Sequence, residues 1–260
     1  MERRSVKSTM RTFEVLELFE AQRRPMRLQE IHQILGYPQS STTNMLKSMV
    51  VMGYLNYNRS SRTYLPTTKV SNLGSWLPNF IHFDGCHYNL VEKIQEETDE
   101  TVSLCSQNDL FVQYLIVREP SHEFKMPPPQ GSLRMLVDSA AGLALISSWS
   151  DKEIDKICRY TNYYELNRAP SVYAEAPHDR VSLAEVMEEV REVRHVGYSY
   201  RAGKPIPEVA AIAMPLLSTS HGIPLAIGVG GLTQRIAERK NLIIESMRRH
   251  VSEFNVTNAA

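Results

Sequence analysis

Three short apolar stripes at helical spacing, set within the first 52 residues and broken at Pro25 and at Gly36-Tyr37-Pro38, leave this chain few folds to choose from. Met10, Phe13, Val15, Leu16, Leu18 and Phe19 form the first stripe, which leaves Glu14, Glu17 and Glu20 on the wet side of a helix over Met10–Phe19. Leu28, Ile31, Ile34 and Leu35 make a second, shorter helix that stops at Gly36, a residue able to take the left-handed conformation that ends helices. Pro38 suits the first position of a third helix reaching Met52, with Met45, Leu46, Met49 and Val50 as its buried stripe. After Gly53, Tyr54–Tyr57 and Thr63–Leu65 read as two strands around the turn Asn58-Arg59-Ser60-Ser61-Arg62. Helices in this order, closed by such a ribbon, predict a winged helix-turn-helix.

The outer face of the third helix carries the chemistry. At ~100° per residue, its buried stripe turns Ser40, Asn44, Lys47, Ser48 and Val51 outward, with Ser41 near the boundary. Asn can bridge adenine N6 and N7, Ser can serve a base edge or a phosphate, and Lys neutralises phosphate. Arg59 and Arg62, at the tip of the ribbon, suit phosphate or minor-groove contact. A solvated polar face is the competing account, and charge weighs against it. Residues 1–70 carry 11 Lys and Arg against 5 Asp and Glu, a net of +6, whereas residues 71–260 carry 18 against 24, a net of −6. Duplex DNA attracts the first segment and repels the second.

A chain of 260 residues has room for two cores. The expected division is a DNA-binding domain over 1–70, a linker over 71–87 and a body over 88–260. In the body, Tyr88–Glu97 reads as a helix, Thr101–Gln107 and Leu110–Val117 as strands around Asn108-Asp109, Ser182–His195 as an amphipathic helix ending before Gly197, and Val209–Leu217 and Leu225–Val229 as apolar strands. The fold class is α+β. Leu242, Ile244, Met247, Val251 and Phe254 stripe the last helix, in a pattern that fits either ordinary packing or an oligomer seam.

Several classes are disfavoured. No apolar run reaches the ~18 residues of a bilayer span, and Met1-Glu2-Arg3-Arg4 leads into no signal-peptide segment, so a cytoplasmic protein without membrane contact is expected. Cys86, Cys105 and Cys158 are odd in number and widely spaced, which predicts buried thiols rather than disulfides or a CxxC site. His82, Cys86 and His87 are the nearest approach to a metal cluster, yet a structural zinc needs four ligands, and no metal or other cofactor is expected. There is no GxSxG, HExxH or GxxxxGK[ST] motif, and Gly228-Val229-Gly230-Gly231 lacks the spacing of a dinucleotide fingerprint, so no catalytic residue can be named. Glu123–Pro129, with three consecutive prolines, reads as an exposed loop rather than a recognition site.

The succession Phe13-Glu14-Val15-Leu16-Glu17-Leu18-Phe19, Leu28-Gln29-Glu30-Ile31, Gly36-Tyr37-Pro38-Gln39-Ser40-Ser41-Thr42 and Gly53-Tyr54-Leu55 resembles the head of the IclR family of bacterial transcriptional regulators. Further landmarks come in family order: Glu100-Thr101-Val102-Ser103-Leu104, Asp138-Ser139-Ala140-Ala141-Gly142-Leu143-Ala144, Glu189-Val190-Arg191 with Gly197-Tyr198-Ser199, and Ala211-Ile212-Ala213-Met214-Pro215. The resemblance spans roughly residues 8–250. It implies a DNA-binding head joined by a linker helix to a GAF-like antiparallel-sheet body that binds a small organic effector, in homodimers or homotetramers on operator DNA. The implied effector site comprises Ala140 and Ala141 at a helix start, faced by Arg201, Val209, Ala211, Gly228 and Gly230.

The chain also departs from the family pattern. Arg201 stands where an acidic residue is usual, and glycines stand where the last strand often offers hydroxyls. An Arg supplies a fork for an anion and glycines enlarge a pocket, so the expected effector is a carboxylic acid that is bulkier and partly apolar, an aromatic acid being the leading candidate. The competing account points Arg201 at solvent and leaves the glycines to backbone geometry. Asn44 replaces a common cation, so the operator cannot be borrowed from relatives. Arg27 precedes the second helix where Ser or Thr would cap it better by ~1 kcal/mol. An enzyme with a DNA-binding head and a winged-helix protein-interaction module with an inert body are the alternatives.

Overall fold

The computed structural model describes residues 6–76, 85–165, 180–204, 206–216 and 223–257. The chain divides into two compact units, Met1–Ile81 and His82–Ala260. In the first, α1 (Lys7–Gln22), α2 (Leu28–Leu35) and α3 (Gln39–Val51) are followed by β2 (Leu55–Asn58) and β3 (Thr63–Pro66), with α4 (Thr68–Gly74) next. A two-residue strand, β1 (Met26–Arg27), pairs with the outer side of β3 and makes the ribbon three-stranded. Its brevity hides it from any periodicity. Val15, Met26, Ile31, Leu46 and Leu55 are fully or almost fully buried in one small core, each contributing about 1.5–3 kcal/mol through removal of apolar surface from water.

Local chemistry accounts for the ends of these helices. Gly36 closes α2 at φ +68, as the sequence predicts. Pro38 lies one residue before α3, as its N-cap, rather than in its first turn. The weak cap at Arg27 is offset: a Glu30 carboxylate oxygen accepts its backbone N–H at 2.8 Å, while the other oxygen holds Arg24 at 2.8 Å. The carboxyl of Glu30 consequently sits below its ordinary pKa, first through that backbone N–H and then through Arg24. Between the two units, the expected linker 71–87 is helical through Gly74, and 77–84 lie outside the described residues.

The second unit is a six-stranded antiparallel sheet clad on both faces. Its strands are β4 (Thr101–Asn108), β5 (Phe111–Arg118), β6 (Leu133–Met135), β7 (Ser199–Ala202), β8 (Val209–Leu216) and β9 (Leu225–Leu232), in the order β6-β5-β4-β9-β8-β7. One face packs with α5 (Gly85–Thr98), α9 (Thr233–Glu238) and α10 (Lys240–Thr257) through Val102, Leu104, Ile212, Ile227 and Val229. The other packs with α6 (Ala140–Ile146), α7 (Asp151–Glu165) and α8 (Leu183–Val196) through Cys105, Val112, Ala213 and Ala226. This period-2 division between two cores is why the strands read as nearly continuous apolar runs.

On α10, Ile244, Met247, Val251 and Phe254 are buried within the unit's own core, and Leu242 alone of the predicted stripe is exposed. The stripe is intramolecular packing. Cys105 and Cys158 are buried and pushed up to about 12 and about 11 by desolvation, but Cys86 is only half-buried, contrary to expectation. Of the His82, Cys86 and His87 set, His82 lies outside the described residues, and the His87 ring packs edge-on against Phe254 at 5.0 Å. No group of three potential metal ligands occurs among the described residues.

Candidate functional site

Each unit presents one candidate surface. In the first unit, the buried side of α3 is Thr42, Leu46 and Met49, with Met45 and Val50 half-buried. Thr42 joins the apolar stripe because its hydroxyl donates to the Pro38 carbonyl at 3.1 Å, which satisfies the polar atom that burial would otherwise penalise. With that side fixed, Ser40, Asn44, Lys47, Ser48 and Val51 are all exposed. The side chains of Asn44 and Lys47 make no hydrogen bond or ion pair among the described residues, while the Ser48 hydroxyl donates back to the Asn44 carbonyl at 3.0 Å.

Ser41 differs from its neighbours. It is half-buried, and its hydroxyl accepts from the Arg11 guanidinium at 3.1 Å, with Arg11 also stacked 4.4 Å from the centre of the Tyr37 ring. This hydroxyl ties α1 to α3 as an acceptor and keeps its own proton to donate. On the ribbon, Asn58 Oδ1 accepts the backbone N–H groups of Ser60 and Ser61 at 2.9 and 3.1 Å, which shapes the turn and holds exposed Arg59 and Arg62 at its tip. Neither arginine forms an ion pair among the described residues.

In the second unit, the cross-strand register builds a cavity of about 100 Å³. That measure gives a single water ~10–15 Å³, so the space suits a small organic molecule. Thr101, Gly230, Ala211 and Arg201 stand side by side across β4, β9, β8 and β7, and Ser103, Gly228, Ala213 and Ser199 form the next such row. Small side chains along most of two adjacent rows leave a hollow that larger residues would fill. A Cβ on Gly228 would stand 3.3 Å from the Ser103 hydroxyl, so glycine there keeps the floor open. Ala140 and Ala141 of α6 stand across from it, after Ser139, whose hydroxyl accepts the Gly142 N–H at 3.0 Å and caps the helix. Gly142 has its own constraint: a Cβ would lie 1.7 Å from the Leu136 carbonyl oxygen, so only glycine lets the turn before α6 approach this closely.

All seven residues that the family resemblance implies for this site line the same cavity: Ala140, Ala141, Arg201, Val209, Ala211, Gly228 and Gly230. Arg201, however, is neither a free fork nor a solvated side chain. Its Nε and Nη2 donate to the two Glu189 carboxylate oxygens at 2.7 and 2.8 Å, its Nη1 pairs with Asp138, and its side chain is only 10% exposed. Burial lowers its pKa, but Glu189 and then Asp138 more than reverse that effect, leaving the guanidinium firmly charged. The reason is tertiary: α8 and the turn before α6 converge on β7 with one carboxylate each.

The remaining wall lies beyond what the sequence patterns indicate. Tyr114, Arg134, Lys204, Met126, Pro128 and Ile206 belong to it. Met126 and Pro128 belong to the Glu123–Pro129 segment, which therefore borders the cavity and is not merely an exposed loop. Beside the cavity, Glu100 is fully buried, held by Nε and Nη2 of Arg235 with Arg239 Nη1 at 3.6 Å, and its Oε2 would lie 2.5 Å from a Cβ on Gly231. Ser121 donates to Asp99 through its N–H and its hydroxyl, each at 2.8 Å, and anchors the root of the loop.

The comparisons with known proteins agree with this geometry. The IclR helix-turn-helix domain model matches residues 8–59, and the model for the bacterial transcriptional regulator IclR C-terminal domain matches residues 87–254. The HTH-type transcriptional regulator XynR of Escherichia coli strain K12 is 19% identical over 89% of this chain and 88% of its own length. Among solved structures, the effector domain of an IclR regulator from Acinetobacter sp. ADP1 is 26% identical, with a TM-score of 0.57 over 65% of this chain and 93% of that one. An IclR homologue from Microbacterium hydrocarbonoxydans, complexed with 4-hydroxybenzoate, shares the fold at 15% identity and a TM-score of 0.66, over 96% of this chain and 98% of that one. No helix among the described residues is long and apolar enough to cross a membrane. Two family models in the family's own order, over a winged helix-turn-helix and a sheet-borne cavity, place this chain in the IclR family of transcriptional regulators, with a helix-turn-helix DNA-binding unit and a C-terminal effector domain.

Proposed function

We propose that this protein is a ligand-responsive regulator that binds a two-fold symmetric operator as a dimer or tetramer in the cytoplasm. The α3 helices enter successive major grooves, presenting Ser40, Asn44, Lys47 and Ser48, while Arg59 and Arg62 reach the flanking backbone or minor groove. The observation that carries this reading is an exposed α3 face whose Asn44 and Lys47, like Arg59 and Arg62 at the ribbon tip, have no side-chain partner among the described residues. Ser41, at the edge of that face, offers its hydroxyl proton as well while tying α3 to Arg11 of α1. The effector is a small carboxylic acid seated in the cavity lined by Ala140, Ala141, Val209, Ala211, Gly228 and Gly230, and its entry shifts the spacing between half-sites. The homologue crystallised with 4-hydroxybenzoate supports an aromatic acid as the class.

Gel-shift titration of DNA from upstream of the protein's own reading frame tests the DNA half of this reading. Lys47→Ala is expected to weaken binding to all sequences and lower the salt slope by about one. Asn44→Ala is expected to relax preference at one base position, at about 1–3 kcal/mol of discrimination. Unchanged shifts with both variants refute readout through α3.

A further inference from the structure

The register of the sheet decides which cation meets the cavity. On β4, Thr101, Ser103 and Cys105 face the side packed by α6, and Ser103 and Leu104 pair with Val117 and Ile116 of β5. The register then shifts: Cys105 pairs with Tyr114, leaving Leu115 as an extra residue. Without this bulge Cys105 would face Leu115, and Tyr114 and Val112 would point to the opposite side, because a one-residue slip inverts every later side chain. Arg134 pairs with Val112. The bulge therefore turns both Tyr114 and Arg134 into the cavity wall, where both are found.

Charge pairing supplies an independent observation. Of the cavity's cations, Lys204 is exposed and Arg201 is occupied by Glu189 and Asp138. Arg134 is half-buried, makes no ion pair among the described residues, and lines the same stretch of cavity wall as the Tyr114 phenol. Burial raises the Tyr114 phenol above its ordinary pKa, so it is neutral and keeps a proton to donate. A half-buried guanidinium with no carboxylate partner among the described residues favours an anion beside it.

We infer that the acid group of the effector is held at the bulge end of the cavity by Arg134 together with the Tyr114 hydroxyl, while Arg201 serves as an internal clamp. The inference rests on the effector reading above and deepens it. Met126, Pro128, Ile206 and Val209 leave an apolar wall for the remainder of the ligand. The pocket accordingly selects a carboxylate over the isosteric neutral amide.

Calorimetric titration of the full chain with benzoate, 4-hydroxybenzoate, pyruvate and benzamide tests this. Benzoate is expected to bind at least about tenfold more tightly than benzamide, as one charge-assisted hydrogen bond implies. Arg134→Gln is expected to erase that preference while leaving benzamide affinity unchanged, Arg134→Lys to retain part of it, and Tyr114→Phe, which preserves ring packing, to weaken benzoate several-fold. Should Arg134→Gln fail to fold, Arg134→Lys and Tyr114→Phe decide the matter. An unchanged acid-to-amide ratio in the folded variants overturns the inference. So does benzamide binding as well as benzoate, which leaves an effector pocket without an anion anchor. If none of the four probes binds, the effector reading falls with it.

Discussion

The two units employ arginine in opposite ways. At the ribbon tip, Arg59 and Arg62 are exposed and pair with no carboxylate among the described residues. In the second unit, Arg201 is locked to Glu189 and Asp138, and Arg235 and Arg239 converge on fully buried Glu100. An unpaired cation on an exposed turn retains its field for a partner, whereas one matched to buried carboxylates has spent it on folding. The difference teaches that an arginine's role is set by the carboxylates around it and not by its proximity to a site: Arg201 lines the cavity, yet it belongs with the clamps.

Substitutions can break or sharpen this contrast. The largest effect is expected from Glu100→Gln, which strands Arg235 and Arg239 around a neutral side chain. A loss of about 3 kcal/mol in urea unfolding is expected, at the lower end for a broken buried pair because both arginines reach solvent. Arg201→Gln should come next at about 1–3 kcal/mol, since it leaves the partly buried Asp138 and Glu189 carboxylates unpaired. If either variant unfolds like the wild type, the clamp assignment is wrong.

The head should behave otherwise. Arg59→Ala and Arg62→Ala are each expected to leave unfolding free energy within about 0.5 kcal/mol, and to lower the salt slope of DNA binding by about one apiece. Loss of stability with intact DNA affinity would place these arginines with the clamps and erase the contrast.

A further small effect concerns acid. Glu97 joins α5 to α10, and the Ser246 hydroxyl, then His250 and Arg249, hold its carboxyl down at about 2 rather than the ordinary 4.5. A depressed carboxylate contributes stability that is fully present above 4.5 and is lost as pH falls toward 2. Because its side chain is 39% exposed, solvent screening limits the contribution to about 0.5–1 kcal/mol. Glu97→Gln should therefore melt slightly below the wild type at pH 6, with the gap closing as pH approaches 2. A constant gap across that range would assign the difference to packing.

Much of the architecture was legible because local rules wrote it. Gly36 and Gly197 end helices in the left-handed conformation, and Ser182 caps α8 by accepting the Glu185 N–H. Further local signals mark α7. Ile154, Ile157, Cys158 and Thr161 are spaced for its buried face, and Ser150 with Glu153 forms the reciprocal cap at its start. The three-residue β6 and four-residue β7 are too short to show a period. At the candidate site, the small residues were reachable through family order, whereas Tyr114, Arg134, Met126 and Pro128 were not. Their inward placement depends on a bulge and a loop path that leave no periodic trace.

The amino-acid order alone determined that the head has three helices in this order, which side of α3 faces outward, and how charge divides between the two units, because periodicity and summed charge act over neighbouring positions; the ends were less exact, the first helix running Lys7–Gln22 rather than Met10–Phe19. Tertiary structure decided what Arg201 holds and which way Arg134 faces. Asp138 lies 63 positions from Arg201, and a single extra residue at Leu115 inverts the facing of Tyr114 and Val112. Pairing between distant groups depends on geometry in space, and spacing along the chain carries almost none of it.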